Sequence, residues 1–214
     1  MNPLKRTNQL AIFLLATAVA SRLLAQDAGA PNVGDKPHHD DMMAMMEELA
    51  KPGENHKLLT GGAGTWEYHG KFWVNPDPKA PPMEYSGKMV AKPLMGGRYV
   101  QSDIAGKMQM PGADGKMKDM DFKGMSIDGY DNVKKKFIST WVDNMGTSIM
   151  MLEGTYDPST KTITYLGEEE PMPGMKTKMR QVVKLIDNNH HVMEFYEDRG
   201  GTDFKAMEIT YVRK

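Results

Sequence analysis

From Trp66 to the C-terminus, apolar and polar residues alternate in short runs separated by turn residues. Trp66, Tyr68, Phe72 and Val74 share one parity, opposite Glu67, His69 and Lys71. Side chains two apart on an extended chain point to the same side, so this pattern marks strands with one buried face. Further runs cover 85–91, 98–110, 120–128, 136–143, 148–156, 161–168, 176–186, 190–197 and 204–213. Breakers divide them: Pro81-Pro82, Gly96-Gly97, Pro111-Gly112, Asn144-Met145-Gly146, Asp157-Pro158, Pro173-Gly174, Asp187-Asn188-Asn189 and Gly200-Gly201. No helical period intervenes. About ten strands in hairpin order predict an all-β fold, an antiparallel up-and-down β-barrel. Closure would remove exposed sheet edges and enclose a cavity. A β-sandwich is the competing arrangement.

Upstream of the alternation the period changes. Residues 40–51 are strong helix formers, with Met42, Met45, Met46 and Leu49 spaced along one face. Asp40 or Asp41 can cap the start, and Pro52-Gly53 ends the run. A second short turn from Glu54 to Leu59 leads into Gly61 to Gly64. The spacing predicts a short Met-rich helical segment over 40–57, set to cover one end of a barrel domain over 58–214. Residues 26–39, rich in Gly, Pro, Asp and Asn, read as a disordered linker.

Residues 1–25 have the order of a secretory signal peptide: Lys5 and Arg6, then an apolar run from Leu10 to Ala20, then small residues. Cleavage after Ala25 would leave Gln26 as the first mature residue. The apolar run is shorter than the roughly 20 residues a membrane span needs. The expectation is an exported protein, periplasmic or secreted, with no membrane span after cleavage. The pattern leaves its oligomeric state open.

Charge and composition exclude several classes. The 27 basic residues lose Lys5, Arg6 and Arg22 with the leader while all 28 acidic ones remain, giving 24 − 28 = −4. The longest basic run is Lys134-Lys135-Lys136 beside a turn, so nucleic-acid binding is not expected. There is no cysteine, hence no disulfide, thiolate metal site or cysteine nucleophile. No phosphate-cradling glycine loop, nucleophile elbow or zinc-helix motif is present.

Gly64-x-Trp66 on the first strand and Arg213 on the last resemble the calycin superfamily, the lipocalins and fatty-acid-binding proteins. The resemblance implies that Arg213 packs over the Trp66 indole, a cation–π contact of about 0.5–2 kcal/mol that closes one barrel end. A second resemblance spans Leu58 to Arg213. Gly96-Gly97-Arg98, Gly129-Tyr130-Asp131, Trp141-x-Asp143 with Gly146-Thr147, Arg180 and the closing Lys205 to Arg213 segment are similar to the bacterial domain-of-unknown-function 1579 family. That resemblance implies membership and no particular reaction.

Three constellations are candidates for function. In the last strands, regular hairpins would set Glu194 opposite Glu208, Tyr196 opposite Ala206, and Arg180 opposite Tyr196. Facing inward, Glu194, Glu208 and Arg180 would form a buried polar cluster suited to acid/base work. The opposite face collects Val183, Leu185, Met193, Phe195, Met207, Ile209 and Tyr211, and its greater apolarity assigns it to the interior. Arg180 and solvent would then ease the glutamate repulsion outside. On the third and fifth strands, Tyr99, Asp103, Trp141 and Asp143 are candidate cavity residues, with Trp141 as a stacking wall. Asp143 could instead cap the turn at 144–147. Lastly, His38-His39-Asp40-Asp41 before Met42, Met43, Met45 and Met46 suits a soft metal. The remaining methionines are scattered, so the segment reads as a polar lead-in to a Met-faced helix and no metal site is expected. Neither His69 nor His190 has the parity of an interior ligand, and no cofactor is expected. The leading expectation is a binding module for a small apolar or amphipathic ligand. The alternatives are an enzyme using interior carboxylates and an envelope protein binding metal through the His/Met segment.

Overall fold

The computed structural model describes residues 39–77, 79–112 and 115–214. The expected signal peptide, its cleavage site and nearly all of the linker lie outside the described residues.

The chain opens with helix α1, His39–Leu49, and helix α2, Glu54–Thr60. Ten strands follow: β1 Gly64–Phe72, β2 Met83–Leu94, β3 Tyr99–Pro111, β4 Met117–Asp131, β5 Lys136–Asp143, β6 Met150–Asp157, β7 Thr162–Met172, β8 Met175–Leu185, β9 His190–Asp198 and β10 Asp203–Arg213. Each pairs antiparallel with its neighbours in sequence, and β1 pairs with β10, so the sheet is a closed barrel. The alternation found in the sequence is therefore the alternation between barrel interior and surface. Two interior clusters divide the core. One is built on Trp66, Tyr68, Met89, Ile104, Ile209 and Tyr211. The other is built on Phe137, Leu152, Ile163, Tyr165, Met179 and Phe195.

One barrel end is closed by α2, which is short and needs outside support to hold its shape. Its Leu58 and Leu59 pack against the second core cluster. His56, buried, ties its start down: Nδ1 accepts the Gly53 backbone N–H at 3.0 Å, and the ring also hydrogen-bonds the backbone of Tyr130 on β4. The Met-rich segment was expected to do this covering. Instead α1 has no buried residue, and Met42, Met43, Met45 and Met46 are all exposed.

At this end the Gly-x-Trp signature acquires its physical meaning. Trp66 is 2% exposed, and its indole N–H donates to the Gly62 carbonyl at 2.9 Å. Arg213 sits opposite it across β1 and β10, its guanidinium 4.3 Å from the ring centroid. The same guanidinium donates to the carbonyls of Gly61, Ala63 and Asn188. Gly64 has φ +143°, and a Cβ there would lie 2.6 Å from the Arg213 Nη1. Glycine is thus required twice over, by backbone conformation and by the approach of the arginine.

Candidate functional site: the barrel interior

The barrel encloses a cavity of about 930 Å³ reaching from α2 to the far rim. That lies at the upper end of the roughly 300–1,000 Å³ typical of small-molecule sites. Val183, Met193, Phe195, Met207, Ile209 and Tyr211 all line it, with Leu185 beside them. Trp141 and Asp143 line it as well.

The outward set follows from the same pairing. Glu194 lies opposite Glu208 and Arg180 opposite Tyr196. Tyr196, however, faces Lys205 rather than Ala206, because β10 carries a bulge between Lys205 and Met207. In a regular strand those two residues would share a face. The extra residue turns Lys205 outward while Met207 points into the cavity. Lys205 then reaches Glu208 at 2.5 Å and Glu194 at 3.7 Å. Lys184 supplies a second cation to Glu194 at 2.8 Å. Burial works against the Glu194 carboxylate, but these lysines outweigh it and hold its pKa below the ordinary value. Arg180, expected to ease this repulsion, is committed elsewhere: it pairs with Asp203 and stacks on the Tyr196 ring at 3.8 Å.

Tyr99 and Asp103 are a correction. Val100, Ser102 and Ile104 are the inward residues of β3, so Tyr99 and Asp103 stand on the outer face. Tyr99 is 42% exposed, and Asp103 accepts a hydrogen bond from its outward neighbour Gln101 at 2.8 Å. The third strand alternates as read, but with the opposite face buried, because its outward face holds polar residues plus one aromatic that disguised it.

Asp143 does both things that its position allowed. Its Oδ2 accepts the Trp141 indole N–H at 2.8 Å. Its Oδ1 accepts the backbone N–H of Met145 at 2.8 Å and of Gly146 at 3.2 Å. The Trp141 ring lies flat against Gly124 on β4, where a Cβ would come within 2.4 Å of the indole. Phe122 stacks beside it at 6.2 Å. Glu169, also lining the cavity near this rim, has its pKa raised by burial first and by the neighbouring Asp143 and Glu197 carboxylates next.

Several interior groups escaped the sequence reading. His191 faces inward, stacked on Tyr211 at 4.3 Å and edge-on to Trp66 at 4.5 Å. Burial and the nearby Arg213 charge lower its pKa to about 4, so it is neutral at pH 7. The shared parity of 191, 193 and 195 was the available signal. Asp128 stands half-buried on β4, accepting from Ser126 at 2.8 Å and from Ser139. Burial raises its pKa. Ser102 and Ser139 are each 7% exposed and line the same cavity. The Tyr85 hydroxyl is buried without a hydrogen-bond partner.

Among the described residues no His/Cys/Asp/Glu grouping has the arrangement of a metal site. No described helix is long and apolar enough to cross a membrane.

The sequence profile of the "Protein of unknown function (DUF1579)" family matches residues 51–213, beginning just before α2 and ending on the arginine that caps Trp66. The chain belongs to the DUF1579 family. The matched stretch contains the whole DUF1579 barrel with its covering helix and leaves out α1. Among solved structures, Rv2717c from M. tuberculosis aligns with a TM-score of 0.51 and 14% identity, over 77% of this chain and 99% of that one. At that identity the likeness speaks for the fold alone. A DUF3598-family protein of unknown function from Nostoc punctiforme PCC 73102 aligns at a TM-score of 0.25 and 8% identity, over 76% of this chain and 100% of that one, and carries no weight. No curated protein matches in sequence.

Proposed function

We propose that this DUF1579 barrel is an exported binding protein that holds a small apolar or amphipathic molecule in its interior. The observation that carries the reading is the cavity of about 930 Å³, walled by aromatic, aliphatic and methionine side chains within a closed barrel. An apolar ligand entering it would leave water at about 25 cal/mol per Å² of buried surface. Methionines such as Met193 and Met207 suit the role, since a flexible thioether chain adapts to ligand shape. Export is supported by the order of charged, apolar and small residues over 1–25.

The test is native mass spectrometry of the protein purified from its own host, coupled to extraction of any co-purified molecule. A stoichiometric apolar or amphipathic adduct, lost on Met207→Asp and kept on Glu208→Gln, is the expected result. An adduct that survives Met207→Asp and disappears with Glu208→Gln would move the site to the outer Glu194/Glu208 face. An N-terminus starting at Met1 or Asn2 on exported material would remove the leader from the account; Gln26 is the expected first residue.

A further inference from the structure

This inference rests on the cavity being a ligand site and names the chemistry of the ligand. The two sides of the cavity differ. Strands β8 to β10 present Met179, Val183, Phe195, Met207 and Ile209. Strands β3 to β5 present Ser102, Ser126, Asp128 and Ser139. Ser102 and Ser126 are cross-strand partners, and Asp128 is the next inward residue along β4, diagonal to Ser102.

The polar side is incomplete. The donors serving Asp128 are both neutral serine hydroxyls, and no ion pair reaches it among the described residues. The Ser102 hydroxyl faces the cavity from a 93% buried position, since only 7% of the residue is exposed, and makes no hydrogen bond among the described residues. Its oxygen is open to the cavity rather than sealed off; among the described residues the buried side-chain polar atom left without a partner is the hydroxyl of Tyr85, on the same cavity. Native interiors rarely keep such a group without water or ligand to satisfy it.

The lining offers no cation to Asp128. The Arg213 guanidinium is spent on three backbone carbonyls and the Trp66 face. His191 is neutral. Lys57 and Lys161, at the α2 end, are exposed, and Lys57 is paired with Glu54. Toward the other rim the inward ionisable groups are Asp143, Glu169 and Glu197, the last paired with Arg199. A ligand carrying a carboxylate would meet one sign of charge along most of the cavity.

The geometry points to a lipophilic cation as the ligand: a hydrocarbon or ring body in the aromatic and methionine-lined space, with a protonated amine donating to Asp128 and Ser102. An ammonium brings three donors and no acceptor, which matches a carboxyl group with acceptor capacity to spare and a hydroxyl with no other partner. It would also supply the cation that the half-buried Asp128 lacks, favouring its charged form as an ion pair.

Tryptophan-fluorescence titration at pH 7.5, below micelle concentration, tests this with three probes that differ only in the head group: dodecylamine, dodecanol and dodecanoate. The expected order is dodecylamine tightest, at least about ten-fold over dodecanoate, equivalent to about 1.4 kcal/mol. Asp128→Asn keeps the volume and an acceptor oxygen for both serines, so it should fold. It should cost dodecylamine about ten-fold in affinity while leaving dodecanol within about three-fold. Ser102→Ala is the second variant, expected to weaken dodecylamine by a smaller factor and dodecanol hardly at all. Dodecanoate binding as tightly as dodecylamine, or dodecylamine binding unchanged in both variants, would overturn the charge assignment and leave the apolar cavity intact. Failure of all three probes to bind would sink the ligand-site reading itself.

Discussion

The two ends of the barrel are built on different principles. At the α2 end, the strong groups within the barrel are already occupied. Arg213 serves three carbonyls, Trp66 lies under it, His191 is stacked between aromatic rings, and His56 pins the helix. At the other end no described helix covers the rim. The inward groups there include Asp143, Glu169 and Glu197, around Trp141 and Phe122. The hairpin ends beside them carry exposed Met117, Met172 and Met175. A saturated end holds the barrel shut. On the proposed function, the uncovered, acidic end is where a ligand would enter and where charge would select it. Stability should therefore respond to the first end, and ligand selection to the cavity and the second.

The largest effect should come from inverting the interior. Met207→Asp puts an unpaired carboxylate between both core clusters and should cost on the order of 4 kcal/mol or more, unfolding the protein or emptying it. Chemical denaturation followed by circular dichroism reads this directly. Next is the saturated end. Trp66→Ala should cost about 3–5 kcal/mol. Arg213→Ala should cost less, and the double variant less than the sum, because the two residues share a contact. Strict additivity in the cycle would mean that the stack contributes nothing.

The third effect is a pH dependence at the same end. His191 has a folded pKa of about 4 against an ordinary value of 6.5. The unfolded chain therefore binds the proton first, and stability is lost as pH falls from 6.5 towards 4. At about 1.4 kcal/mol per pKa unit, the loss is on the order of 3 kcal/mol. His191→Phe should flatten that part of the curve. Asp128 contributes with the opposite sign. Its raised folded pKa means that the native state is penalised as pH rises above the unfolded value of 3.8, so Asp128→Asn should stabilise the unliganded protein at neutral pH. The smallest effect should be Glu208→Gln, within about 0.5 kcal/mol, because it trims one partner of a part-exposed lysine network.

Much of the fold was legible because it depends on parity. The ten runs of alternation correspond to the ten strands, and the apolar face of the last three is the one lining the cavity. Parity failed where a strand had no clearly apolar face. On β3 the inward residues include Ser102, and the outward ones include Tyr99, so composition pointed the wrong way. It also failed at the β10 bulge, since one inserted residue at Ala206 reverses every assignment before it. The polar interior was the hardest part to read. Asp128, Ser126 and Ser139 are ordinary residues in ordinary strand positions, and only closure of the barrel brings them together and removes water. Likewise, the glycine of Gly64-x-Trp66 reads as a turn residue until the arginine 2.6 Å from its missing Cβ is seen.

The central claim is that ligand occupies the interior, and the 21 methionines of the chain make it directly measurable. Methyl spectra of protein labelled with 13C at the methionine methyl groups, recorded during titration with dodecylamine, report inside and outside at once. The account predicts saturable shifts for Met89, Met179, Met193 and Met207, which line the cavity, and none for the exposed Met42, Met43, Met46 and Met151. Shifts confined to the exposed methionines, with the four interior signals unmoved, would contradict it.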